Sequence, residues 1–298
     1  MMLILTAIIW GSAFVAQRAG IKYLGPFTFN GIRSFIGFLV LIPVILIIDY
    51  RNRKKNISEG ILPQAEIDKK YESKSLVLGG LLCGIVLFAA SSLQQVALVY
   101  TTAGKAGFIT ALYIVIVPIL GLFMYKKVRA ILWLSVALAV FGLYLLCIKE
   151  SFTMGKGDIL VIISAFVYAI HILVIDHFSQ KVDCIKMSCL QFLICGIFSL
   201  PLMMVMETFT WQDILRSSIP ILYTGVISCG VAYTLQMVGQ KYTEPTVASL
   251  ILSLEAVFAL IAGILILNEH ISQREIIGCI IMFAAILIAQ LPSKEEIS

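Results

Sequence analysis

Few ionisable side chains stand inside the long apolar runs of this chain, and four of them are candidates for chemistry. Glu255 lies near the middle of Leu252-Ser253-Leu254-Glu255-Ala256-Val257; Lys105 lies near the start of the run 103–125, Arg33 early in 27–48, and His171 within 157–178. A charge at the centre of a membrane helix costs about 2.5–3.5 kcal/mol on insertion scales, so each needs a purpose or a buried partner. Glu255 is the leading candidate for chemistry, because a carboxyl held there can take up and release a proton or receive a cationic group. Lys105 either meets a substrate or snorkels to the interface from a helix end. Arg33 either faces a polar interior or anchors its helix, and His171 either titrates or serves as hydrogen-bonded filling.

Neutral polar and aromatic residues fall on stripes beside these charges. Trp10, Ala13, Phe14 and Gln17 follow i, i+3, i+4, i+7 and share one helix face. Tyr168 and His171 take the corresponding face of the sixth run, while Ser91, Gln94 and Gln95 in the third match Tyr233, Gln236 and Met237 in the eighth. Such amides suit a polar cavity between helices, the alternative being helix–helix hydrogen bonds without a substrate. The candidate substrate-binding set is therefore Trp10, Phe14, Gln17, Gln94, Lys105, Tyr113, Tyr168, His171, Tyr233 and Gln236, with Glu255 as the proton-coupling group. The pattern implies no catalytic residues, no metal and no cofactor: there is no HExxH, no CxxC, and Glu255 is the sole mid-span carboxylate.

The elements that must position these residues are membrane helices. Hydrophobic residues make up 60% of the chain and charged residues 13%, with a mean hydropathy of +1.00, which places the chain in a lipid bilayer. Ten runs have the length needed to cross about 30 Å of hydrocarbon: 2–20, 27–48, 75–99, 103–125, 130–148, 157–178, 186–206, 217–240, 245–267 and 273–291. They lack the alternation of barrel strands, so the expected fold is an all-α membrane protein with ten transmembrane helices. The first run begins at Met1 without a charged leader and reads as a retained helix. Pro43, Pro118 and Pro201 fall inside runs and should bend them.

The chain repeats itself. Residues 3–43 align with 161–201 at an offset of 158, and from Leu93 onward the offset is 142, so that Gln94 meets Gln236, Tyr113 meets Glu255 and Gly121 meets Gly263. Lys105 meets Val247, so both buried charges break the internal symmetry, as chemistry specific to a solute or proton would. Each copy holds five runs, an odd number, and the second must enter the bilayer from the opposite side. The expected domains are a first repeat, 1–150, carrying a polar loop at 49–74, and a second repeat, 151–298. Fourteen Lys and Arg lie on the side of that loop against six on the other, which predicts a plasma-membrane protein with both termini and the loop in the cytosol. The net charge of +5 follows from this bias and gives no support for nucleic-acid binding.

With these features the sequence resembles the drug/metabolite transporter superfamily in its ten-helix EamA-type branch. The resemblance spans nearly the whole chain and rests on Ile9-Trp10-Gly11-Ser12-Ala13-Phe14, on Tyr100-Thr101-Thr102-Ala103-Gly104-Lys105-Ala106-Gly107-Phe108 with Pro118, and on Leu254-Glu255-Ala256 followed by Leu267-Asn268-Glu269. Members more often carry a proline after that first glutamate and a glycine before the second, where Ala256 and Asn268 stand here; this loosens the helix break expected near Glu255. The resemblance implies two inverted five-helix repeats around a cavity lined by spans 1, 3, 4, 6, 8 and 9, and alternating access. Its cargo stays open.

The leading functional expectation is a carrier that exports an amino acid or related small polar metabolite, coupled to protons. A multidrug or nucleobase carrier would use the same aromatics. An intramembrane enzyme is disfavoured because no catalytic constellation is present, and a channel because no span carries rings of charge or a filter-like loop. The expected partners are a small-molecule substrate, protons and the lipid bilayer.

Overall fold

The computed structural model describes residues 1–58, 66–101, 103–123, 128–147, 155–267 and 272–291; the side chains of 53, 55–58, 66–72, 103–105, 146–147, 263–264 and 266–267 fall outside that description. Among the described residues every regular element is a helix. Apolar sequence in lipid leaves the backbone no acceptor but its own carbonyls, which is why these runs close their hydrogen bonds internally.

In the first half the helices are α1 (Met2–Gly20), α2 (Pro26–Ser58), α3 (Glu66–Tyr100), α4 (Ala103–Ala111), α5 (Tyr113–Phe123) and α6 (Ala130–Cys147). The second half contains α7 (Lys156–Ser179), α8 (Cys184–Met206), the short α9 (Trp211–Arg216) and α10 (Ser218–Leu222), a π-helical stretch (Tyr223–Ala232), α11 (Tyr233–Gln240), α12 (Pro245–Leu252), α13 (Glu255–Leu267) and α14 (Gln273–Ala289). Eight helical runs are long and apolar enough to cross a membrane, and α6 adds a shorter apolar one, Ala130–Leu145. At 17 residues, α14 is about 26 Å long, close to the thickness of the hydrocarbon.

The polar loop expected at 49–74 is partly helical. α2 runs on to Ser58 and α3 begins at Glu66, because the Arg and Lys of 51–55 and the Glu and Lys of 66–74 favour helix once it is started. Residues 59–65 lie outside the described residues. Pro43, Pro118 and Pro201 sit inside α2, α5 and α8, tolerated where neighbouring helices support the interrupted ladder.

Helix α3 lies along α7 and α8, α2 along α8, α1 along α13 and α6 along α14. Gly11 lets α1 approach α13 so closely that a Cβ there would stand 2.6 Å from Ala259 N and 2.7 Å from Glu255 O. α2 and α8 are clipped at both ends. At one, Lys186 Nζ reaches Asp49 Oδ1 at 2.9 Å; at the other, the Glu207 carboxylate accepts from Phe27 N (2.9 Å) and Thr28 N (2.7 Å), satisfying the free amides that begin α2. Leu39, Leu46, Phe123, Leu265, Ile280 and Leu287 are exposed, as an apolar surface bathed in lipid requires.

Two spans are broken at matching positions. Between α4 and α5, Leu112 N donates to Ile109 O (3.2 Å); between α12 and α13, Leu254 N donates to Ile251 O (3.2 Å). At the offset of 142, Ile109 matches Ile251 and Leu112 matches Leu254. Both breaks are thus the same tightened i→i+3 turn. In the second copy Ser249 and Ser253 hydroxyls bond back to Thr246 O (2.8 Å) and Leu250 O (2.7 Å), competing for carbonyls of the interrupted helix. A break therefore forms beside Glu255 with alanine where the family favours proline.

Candidate functional site

The residues that open α5 and α13 face each other. Tyr113 and Glu255 are repeat partners, and the Tyr113 hydroxyl donates to Glu255 Oε1 at 3.2 Å. Both are buried, at 3% exposure each. The break places each side chain at a helix start, where free backbone amides favour negative charge.

Around this pair lies a central cavity lined by Trp10, Ala13, Phe14, Gln17, Arg33, Gln94, Thr110, Tyr113, Tyr168, Ser228, Tyr233 and Glu255. Its polar walls are ordered by one another: Tyr168 Oη donates to Gln94 Oε1 (3.3 Å), and Gln94 Nε2 donates to Thr110 Oγ1 (3.0 Å). Trp10 and Tyr233 pack with ring centroids 4.7 Å apart. The cavity encloses about 30 Å³, room for a water or two and no metabolite.

The stripe on α1 is a lining face, as its i, i+3, i+4, i+7 spacing suggested, and Gln94, Tyr113, Tyr168, Tyr233 and Glu255 join it there. Two other candidates sit elsewhere. His171 lies behind the wall, its Nε2 3.1 Å from Gln191 Oε1 and its ring edge-on to Tyr233. Gln236 is buried at 1% exposure outside the lining, with Oε1 unpartnered among the described residues. The Lys105 side chain lies outside the described residues.

Arg33, weighed only as a helix anchor or interior group, belongs to the lining and brings α2 to the cavity beside the helices expected there. Nε and Nη2 donate to Asn30 Oδ1 at 3.1 and 2.9 Å, Nη1 donates to Gln17 Oε1 at 2.9 Å, and the guanidinium lies 5.8 Å from the Phe29 ring centre. Asn30 stands one turn before Arg33, the i, i+3 relation that lets side chains meet on a helix. That spacing was the available signal. Thr110 and Ser228 were missed as well; Ser228 reaches the wall from the π-helical stretch.

A second cavity of about 650 Å³ lies along the continuation of α5 and α7, lined by Val117, Gly121, Leu173, Gln180, Lys241, Thr243 and Pro245 among others. It adjoins the connection between α11 and α12. Together the fold and the two cavities define a class: a polytopic helical membrane protein with a polar compartment buried between discontinuous helices, the architecture of a solute carrier. The EamA-like transporter family matches residues 1–148 and 155–290. This chain belongs to that family of transporters, within the drug/metabolite transporter superfamily. It is 30% identical over 290 residues to an uncharacterized transporter of Archaeoglobus fulgidus, covering 97% of this chain and 84% of that one. To the uncharacterized transporter YoaV of Bacillus subtilis it is 24% identical over 294 residues, 95% and 94% of the two chains. A solved crystal structure shares the fold with a TM-score of 0.75 at 15% identity, over 99% of this chain and 98% of that one.

Proposed function

We propose that this transporter exports an amino acid or related small polar metabolite across the plasma membrane by alternating access, in exchange for protons that bind Glu255. Both termini are in the cytosol, and the 1–150 and 151–298 repeats are inverted with respect to each other. The observation that carries the reading is the Glu255–Tyr113 pair: a buried carboxyl at a helix break, on the wall of a closed aromatic and amide-lined cavity. Such a group can accept an ammonium when ionised and a proton when not, which makes the two compete for one place. The aromatic rings of Trp10, Tyr168 and Tyr233 suit the aliphatic or aromatic remainder of the solute.

The test uses purified protein in proteoliposomes. Counterflow of labelled amino acids should be saturable, and net movement should follow an imposed pH gradient. Glu255→Gln keeps the shape of the side chain but removes both its proton and the charge that would meet an ammonium, so counterflow should weaken yet survive better than gradient-driven transport, which should be lost. Undiminished gradient-driven transport in folded Glu255→Gln protein would end the proton-coupling role of this residue.

A further inference from the structure

Arg33 carries a buried positive charge that no ion pair among the described residues meets. It is 6% exposed, and the ion pairs among the described residues, Lys186 with Asp49 and Arg129 with Glu244, do not include it. Its acceptors, Gln17 and Asn30, are both neutral. A guanidinium has five N–H donors, and three are engaged in the bonds to Asn30 and Gln17. Five less three leaves two, one on each terminal nitrogen.

A second donor on the same wall is also unmet. Trp10 Nε1 is buried without a hydrogen-bond partner among the described residues, and Trp10 lines the cavity with Arg33. Meanwhile Gln94 Oε1 already accepts from Tyr168 and Glu255 Oε1 from Tyr113. No hydrogen bond or ion pair among the described residues joins Glu255 to Arg33, and buried donors left unpaired are costly and rare. Asn30 and Gln17 hold the guanidinium plane in place, so its free donors are oriented before anything arrives.

We infer that Arg33, with Trp10 on the same cavity lining, forms the subsite for a carboxylate carried by the transported solute. The free N–H groups on the two terminal nitrogens can donate to the oxygens of a carboxylate, with a planar charge that lysine does not reproduce. A solute oxyanion would supply both the missing charge and the missing acceptors. The inference rests on the carrier reading above and adds the group its cargo must possess: amides and decarboxylated amines of the same side chain are excluded.

The experiment measures thermal unfolding of the purified full chain with two matched series of probes. These are leucine and phenylalanine, their amides, their decarboxylated amines, and the deaminated acids 4-methylpentanoate and 3-phenylpropanoate. Compounds with a carboxylate should raise Tm, and amides and amines should not. Arg33→Gln should lower apparent affinity for the acids about tenfold or more, Arg33→Lys should recover only part of it, and Trp10→Phe should give a smaller loss. Equal shifts from amides or amines, no shift from any acid, or an undiminished response in Arg33→Gln would overturn the subsite. A response to the deaminated acids alone would keep the subsite and refute the amino-acid cargo. Should Arg33→Gln not fold, the acid-against-amide comparison on the unaltered chain still decides the matter.

Discussion

Glu255 and Tyr113 occupy one position of the two halves, yet one is an acid and the other a phenol, and a single hydrogen bond joins them. Tyr113→Phe removes the one donor that reaches Glu255 among the described residues. It should destabilise the protein by about 1–3 kcal/mol, the cost of leaving a buried acceptor unmet. In a double-mutant cycle with Glu255→Gln the two changes should couple by at least about 0.5 kcal/mol in unfolding experiments. Simple additivity would mean that the pair does not act together. The stripe Trp10, Phe14, Gln17 was legible in the sequence because helical periodicity alone aligns it. Arg33 was legible only in part: its spacing to Asn30 is local, but no local pattern brings Gln17 of α1 against α2. Gln236 lies outside the lining that its repeat partner Gln94 joins: Gln94 stands in an uninterrupted α3, whereas Gln236 follows the π-helical stretch, whose wider turns shift the helix face after them.

At the scale of elements, helices that must hold still differ from helices that can yield. α2 and α8 are tied at both ends by Lys186–Asp49 and by Glu207 on the start of α2, and they act as a frame. The paired breaks in the fourth and ninth spans put the pliable turns beside the cavity, and α13 is gripped by α1 through Gly11. Gly11→Ala pushes a methyl against backbone that cannot move aside, forcing α1 from Glu255; it should cost about 1–3 kcal/mol and greatly reduce counterflow. Gly142→Ala is the matched control. It crowds Gly278 O at 2.8 Å in the α6–α14 contact and should cost similar stability with little change in solute affinity. If the two variants lose transport equally per unit of lost stability, Gly11 is only a packing residue. The break near Glu255 was expected from the resemblance, but its match in the first copy, where Gly107 and Ala111 stand in place of Ser249 and Ser253, was visible only in the structure.

Over the whole molecule, α1 marks two ends. Its start packs beside Gly239, next to the 650 Å³ vestibule; its end at Gly20 accepts from Ser217 Oγ at 3.2 Å. The vestibule is bounded by 240–246, whose repeat counterparts at the offset of 142 are 98–104. At Tyr100 and Thr101 of that counterpart the packing is tight: Thr101 Oγ1 donates to Asp158 Oδ1 at 2.7 Å, and a Cβ at Gly157 would stand 2.9 Å from that of Tyr100. Under the proposed alternating access between inverted repeats, these conformations exchange, so opening at Thr101 should accompany closure at Thr243. Lysines and arginines concentrate at the vestibule end, which we place in the cytosol. Thr243→Cys should therefore be labelled by an impermeant thiol reagent in inside-out vesicles and spared in right-side-out ones. Five native cysteines are buried and Cys279 is half-buried among the described residues, so the parent chain sets the background. Asp158→Asn weakens the far closure and should shift the population toward the opposite state, slowing labelling at Thr243→Cys. An unchanged labelling rate, in protein whose counterflow is intact, would show that the two ends are not coupled through the Thr101–Asp158 contact.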